Sequence, residues 1–223
     1  MSSSLTAAPS DAQSSDARLN TIPSLDGAPP LVTVRHLSKT YRGRPALRDL
    51  SLSLPAGRIV GLMGANGCGK TTLLKILAGV LADYQGRVRI AGHAPGPRSK
   101  AAVAFLPDAA FIADNLTAER AVAYYARFFA DFDAHKARDL IRFFKLPADR
   151  TIKEMSKGMG EKLRIALTMS RRARVFLLDE PISGVDPATR DVILDGILRE
   201  FDPASLLIMS THLISDIEHF VDY

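Results

Sequence analysis

A glycine-rich turn, Gly64-Ala65-Asn66-Gly67-Cys68-Gly69-Lys70-Thr71-Thr72, joins an apolar run (Ile59 to Met63) to a helix-like segment (Leu73 to Leu81). Strand, glycine turn and helix in that order commit this part of the chain to an α/β unit. Glycines let successive backbone N–H groups turn inward around an anion, Lys70 can reach the outer phosphates of a nucleotide, and the Thr71 hydroxyl can ligate Mg²⁺. The helix that follows adds the positive end of its dipole, worth roughly half a charge. Gly64, Gly67, Gly69, Lys70 and Thr71 are therefore candidate phosphate and metal ligands.

At 223 residues the chain suits one well-buried α/β domain with a small insertion better than two independent domains. The net charge of +5 fits an anionic partner without choosing among nucleotide, nucleic acid and membrane surface. The single cysteine, Cys68, excludes an intramolecular disulfide framework and reads as a small packing residue within the loop. No apolar run approaches the roughly 18 to 20 residues that cross a bilayer. Residues 1–30, rich in Ser, Ala, Pro and Asp, read as a disordered tail and lack the features of a secretory signal.

Strand-like segments fall at Leu31 to His36, Leu50 to Leu54, Arg58 to Met63, Arg87 to Ala91, Ala102 to Leu106, Arg174 to Leu178 and Ser205 to Ser210. Helix-like segments fall at Lys70 to Leu81, Gly160 to Arg172 and Pro187 to Phe201. The alternation predicts a parallel α/β sheet with an antiparallel β edge from the early strands. Between Asp108 and Glu154 helices follow one another without strands. Thr117 can cap one whose apolar face holds Ala121, Val122, Tyr125, Phe128 and Phe129, and Asp133 can cap another carrying Ala137, Leu140, Ile141 and Phe144. These are taken as a helical subdomain, about residues 108–172, inserted in a domain spanning 31–223. The chain stops at Tyr223 soon after a helix start at Leu213, as a chain with a missing continuation would.

Two further constellations carry chemistry. The apolar run Val175 to Leu178 ends in Asp179 and Glu180, which would emerge at the carboxyl edge of a buried strand. Asp179 there could hold Mg²⁺ through its water shell, and Glu180 could orient or deprotonate an attacking water. At Met155 to Gly160 a serine and glycines lead into a helix, so the Ser156 hydroxyl and the Gly158 N–H form a second anion-suited helix tip. His36, His93, His135 and His219 have no metal-ligand spacing, and no transition metal is assigned. The basic run Arg171-Arg172-Ala173-Arg174 reads as a solvated helix end rather than a nucleic-acid patch.

Together these residues resemble the nucleotide-binding domain of ABC ATPases, a P-loop NTPase fold, over about residues 31 to 223. Gly64 through Thr72 matches the Walker A loop, which brings Asn66 and Thr72 into the nucleotide set. Asp179 matches the Walker B aspartate, Glu180 the catalytic glutamate, and Tyr41 the aromatic residue on which adenine stacks. Ser156 to Met159 takes the signature position, Ser183 to Asp186 the D-loop, and His212 the switch histidine. The resemblance implies ATP and Mg²⁺ as ligands, and a head-to-tail homo- or heterodimer in which the signature helix of one protomer closes over ATP held by the other. It also implies an integral membrane permease as partner and a peripheral place on the cytoplasmic face of the membrane, with no nucleic acid involved.

The sequence departs from the family in two places. Lys157 and Met159 stand where a glycine and a glutamine are usual, a Ser-Lys-Gly-Met pattern similar to that of bacterial ABC-2-type exporter ATPases. Asp108 takes the position of a Mg²⁺-contacting glutamine; its oxygen can still ligate the metal, but it adds negative charge beside the γ-phosphate. Two alternatives stand beside the transport ATPase. One is a nucleotide-sensing or non-hydrolytic half of a heterodimer, favoured only by Lys157, Met159 and Asp108. The other is a soluble ABC ATPase, from which tandem domains or long heptads would be expected.

Overall fold

Strand β7 (Val175–Asp179) is buried at every position, as befits a parallel strand covered on both faces. In the computed structural model, which describes residues 20–21, 29–109, 111–212 and 220–221, it lies in a parallel sheet. The order is β4 (Arg58–Met63), β8 (Leu206–Thr211), β7, β6 (Val103–Leu106). Alternation along these strands sends Val60, Val175, Leu177, Leu206 and Ile208 into one buried cluster. Ile59, Phe176, Leu178, Leu207 and Met209 enter another on the opposite face.

The early strands form a separate sheet rather than prolonging the parallel one; it is antiparallel apart from its two-residue edge strand, which runs parallel to its neighbour. Its order is β1 (Asn20–Thr21), β3 (Arg44–Leu54), β2 (Val32–Tyr41), β5 (Gln85–Ile90). Helix α1 (Lys70–Leu77) buries Leu73, Leu74, Ile76 and Leu77, a broad apolar face packed between the two sheets. Val34, Leu52 and Val88 close over it from one side, and Val60, Val175 and Ile208 from the other.

Strands β2 and β3 run further than the sequence suggests and meet in a two-residue hairpin. Tyr41 pairs with Arg44, and Arg42 and Gly43 between them both have positive φ, 47° and 80°. That is the turn sense that matches strand twist, normally announced by Asn-Gly; arginine in its first position hid it. The short helix α2 (Pro97–Ala101) precedes β6 and also escaped the periodicity.

Helices α3 (Ala118–Phe128), α4 (Ala134–Phe143) and α5 (Lys157–Met169) follow one another between β6 and β7, and α6 (Pro187–Glu200) joins β7 to β8. The Thr117 hydroxyl accepts from Arg120 N–H at 3.4 Å, and Asp133 Oδ1 accepts from His135 and Lys136 N–H, both at 3.1 Å. Ala121, Val122, Leu140 and Leu163 share one buried cluster with Phe176 and Leu207, so these helices cover the second face of the parallel sheet.

Two expectations are corrected. Phe128 is 61% exposed instead of packing in the helix core, since α3 ends there and the extended backbone of Phe129 turns that ring onto Tyr125, 5.3 Å between centroids. Arg171 is buried, not solvated: its Nε donates to both Asp131 carboxylate oxygens at 2.8 Å, and its guanidinium lies 4.1 Å from the Phe129 ring centre. The expected helix start at Leu213 and most of the 1–30 tail lie outside the described residues. Among the described residues no helix is long and apolar enough to cross a membrane.

The hydrogen bond from the Lys136 amide, and after it one from Arg172, hold Asp133 below the usual carboxylate range. A lowered value means stabilisation that is present at neutral pH and lost as pH falls through the folded value. Asp133→Ala is expected to cost about 1 kcal/mol in urea unfolding at pH 7. The gap to the parent protein should close as pH drops below about 4.

Candidate functional site

Between the end of β4 and the start of α1, residues 64–69 form a loop at the carboxyl edge of the parallel sheet, where open α/β sheets bind ligands. Gly69 carries a φ of 102°, and a Cβ there would lie 2.4 Å from the Ala46 carbonyl oxygen, so only glycine fits against β3. The same glycine is the N-cap of α1 and offers no side chain to its first N–H groups. Lys70 Nζ donates to the Gly64 carbonyl at 2.7 Å and lies 3.4 Å from Glu180 Oε1.

Below the loop, the Thr71 hydroxyl donates to Asp179 Oδ1 at 3.0 Å. Ser210 Oγ donates to the same oxygen at 2.8 Å and accepts from the Glu180 N–H at 2.9 Å. The other oxygen of buried Asp179, Oδ2, has no hydrogen-bond partner among the described residues. A buried, unpaired carboxylate oxygen beside a hydroxyl fits a hard cation such as Mg²⁺ or its water shell, and Asp108 offers a further oxygen.

Glu180 has a φ of 51°, a left-handed conformation that a non-glycine residue adopts at a cost of about 1–3 kcal/mol. Its Oε2 lies 2.9 Å from His212 Nδ1. A carboxylate can only accept, so Nδ1 carries the proton and Nε2 is left for another partner.

These groups surround a cavity of about 440 Å³. It is lined by Asn66, Gly67, Gly69, Lys70, Thr71 and Thr72 of the loop and helix start, by Asp108, Glu180 and His212, and by Tyr41. The Tyr41 ring is 44% exposed, with buried Lys39 4.9 Å from its centre and paired at 2.7 Å with Asp83. Gly64 contributes its carbonyl to Lys70, and Asp179 sits beneath Thr71.

Ser156 and Gly158 are not brought to this cavity. Ser156 Oγ accepts from Met159 N–H at 3.2 Å and caps α5, beside a groove that includes Phe111 and Met155. Gly158 packs against α6, where a Cβ would lie 2.9 Å from Thr189 Cγ2. The Lys157 ammonium lies against the Gly184 backbone, 2.3 Å from where a Cβ would stand. The Asp186 carboxyl is held below its usual range by the Thr189 hydroxyl and amide as it caps α6. One chain thus assembles the phosphate loop with Asp179, Glu180 and His212, and holds the serine-led tip elsewhere.

Ser210 was missed, although it is bonded to both acids. Its only trace is the register that sets it opposite Asp179, which is known once β7 and β8 are known to be neighbours.

The fold and this cavity define a phosphate-loop α/β domain built on a parallel sheet. A family model described as ABC transporter matches residues 47–183, and the chain belongs to that family. It is similar to the ABC transporter ATP-binding protein YtrB of Bacillus subtilis, 29% identical over 191 residues covering 84% of this chain and 65% of YtrB. ATP-binding cassette sub-family A member 7 of Rattus norvegicus is 35% identical over 204 residues, 86% of this chain and 9% of that protein. The chain thus spans less than two thirds of either relative. A solved structure described as the ATP binding subunit of an ABC transporter superposes with a TM-score of 0.75 at 26% identity, covering 86% of this chain and 83% of that one.

Ser210→Ala would leave the Glu180 N–H unpaired and remove a donor from Asp179. Chemical denaturation is expected to show a loss of about 1–3 kcal/mol.

Proposed function

We propose that the chain is a Mg-ATPase subunit that powers a separate membrane permease. The observation that carries this reading is that Glu180, left-handed and bonded to His212, lines the same cavity as the Lys70 loop. A glutamate in that place can accept a proton from a water attacking the terminal phosphate, while His212 fixes the carboxylate and presents Nε2 to the cavity. Lys70 and the unpaired N–H groups at the start of α1 bind the phosphates, and Tyr41 offers an exposed ring face to the base.

Thr71 and Asp179, with Asp108 nearby, would hold Mg²⁺, which when bound neutralises charge on the phosphate oxygens. Lys70 lies close to Glu180, so an arriving polyanion competes for the ammonium and frees the carboxylate for its own role.

Ser156 and Gly158 lie away from this cavity, which is the arrangement needed if they serve the nucleotide of a second protomer in a head-to-tail dimer. ATP then joins the protomers, and its hydrolysis releases them. Residues 31–223 form one ATPase domain in this reading, with the helical insert of 108–172 and the loop after Asp108 facing the permease at the cytoplasmic side of the membrane.

Lys70→Ala is expected to abolish ATP binding in a fluorescence titration. Glu180→Gln should keep binding, lose about 10²- to 10⁴-fold in phosphate release, and elute as a dimer with Mg-ATP. A Glu180→Gln protein that stays monomeric in saturating Mg-ATP overturns the ATP-joined dimer. Asp108→Gln should keep ATP binding and change the steady-state rate; an unchanged rate and Mg²⁺ dependence would remove Asp108 from the site.

A further inference from the structure

Two turns along α5 from the Ser156 tip stands Arg164, whose side chain is only 12% exposed. One of its terminal nitrogens donates to Glu161 Oε1 at 2.7 Å. The other donates to the carbonyl oxygen of Pro107 and, at 3.2 Å each, to those of Asp108 and Ala109. Its guanidinium carbon lies 5.3 Å from the centre of the Phe111 ring. A single side chain from the helical layer therefore gathers three consecutive carbonyls of the irregular segment after β6, the segment whose Asp108 lines the nucleotide cavity.

The chemistry suits arginine and no other residue. A planar guanidinium can serve Glu161 along one edge and converging carbonyl dipoles along another, whereas an ammonium is a single point of charge. Glu161 is itself mostly shielded, 14% exposed, which keeps that edge engaged and the fork aimed at the loop. Arg164 and Glu161 also line the apolar groove that includes Phe111 and Met155, so the contact stands between that groove and the nucleotide cavity.

We propose that Arg164 is a positioning residue: it ties the place of Asp108 in one nucleotide site to the helix whose tip serves the other, with Glu161 orienting the guanidinium. The assignment rests on the nucleotide reading of the cavity. A shift of α5 is then carried directly into the position of the Asp108 carboxylate. Arg164 touches no nucleotide itself, so its loss should be felt through Mg²⁺ and not through base or phosphate affinity measured without metal.

The test is made in the Glu180→Gln background, where turnover does not interfere, by titrating Mg²⁺ against binding of a fluorescent ATP analogue. Arg164→Met is expected to raise the Mg²⁺ needed for half-maximal binding about fivefold to tenfold, with metal-free affinity unchanged. Asp108→Ala should do the same, and the double variant no more than either. Multiplying shifts, or an Arg164→Met protein with the parent Mg²⁺ requirement, overturns the proposal. Should Arg164→Met fail to fold, Arg164→Lys carries the same titration and should lie between parent and Asp108→Ala.

A second measurement separates failure of this proposal from failure of the nucleotide reading. In nucleotide-free protein with Cys68→Ser and a nitroxide on Ala109→Cys, the label should be immobile while Arg164 is present. It should become mobile in the Arg164→Met and Arg164→Lys variants, where the fork is gone. A protein that binds no nucleotide yet shows this difference loses the ATPase reading and keeps the clamp. Equal mobility in all three proteins sinks the clamp.

Discussion

Everything at the candidate site depends on helix α1 being held between two sheets. With Leu73, Leu74, Ile76 and Leu77 all buried in close-packed surroundings, the helix cannot slide or rotate without disturbing the core. Its first turn, and with it Lys70 and Thr71, is therefore fixed relative to the ends of β7 and β8. The glycine loop needs that fixity, because it has no core of its own and depends on its two anchored ends. Ala46 of β3 closes against Gly69 from behind, so the antiparallel sheet braces the loop as well as covering the helix.

The second constraint is the network under the loop. Thr71, Asp179, Ser210 and Glu180 are joined by hydrogen bonds across α1, β7 and β8. The Ser210 hydroxyl has one proton, given to Asp179, and a lone pair, taken by the Glu180 amide. That amide bond helps to keep Glu180 in its left-handed backbone conformation, and the conformation places the carboxylate beside Lys70 and His212. Strain at one residue is thus balanced by ordinary hydrogen bonds from three elements.

The parts legible from sequence are those whose physics is local. The glycine turn before Lys70, the apolar run into Asp179 and the caps at Thr117, Asp133 and Ser156 each declare themselves within a few residues, and the structure places them there. What escaped depends on partners far along the chain. Ser210 matters because β8 lies beside β7, Arg164 because α5 passes the loop at 107–109, and Arg171 because Asp131 meets it from 40 residues away. The hairpin at Arg42–Gly43 is local and was still hidden, because arginine seldom takes a left-handed turn position. The separation of Ser156 and Gly158 from the phosphate loop was implied by the family resemblance alone; the packing of Gly158 against Thr189 of α6 is not encoded in any spacing.

That hairpin has a bearing on how the cavity adapts to a guest. Tyr41 stands at the end of a ribbon stitched to two neighbouring strands, with a lysine pinned under its ring by an aspartate from another part of the chain. In the nucleotide reading, the side of the cavity that Tyr41 lines behaves like a fixed jaw. Molecules that differ at the base would therefore meet a rigid gauge.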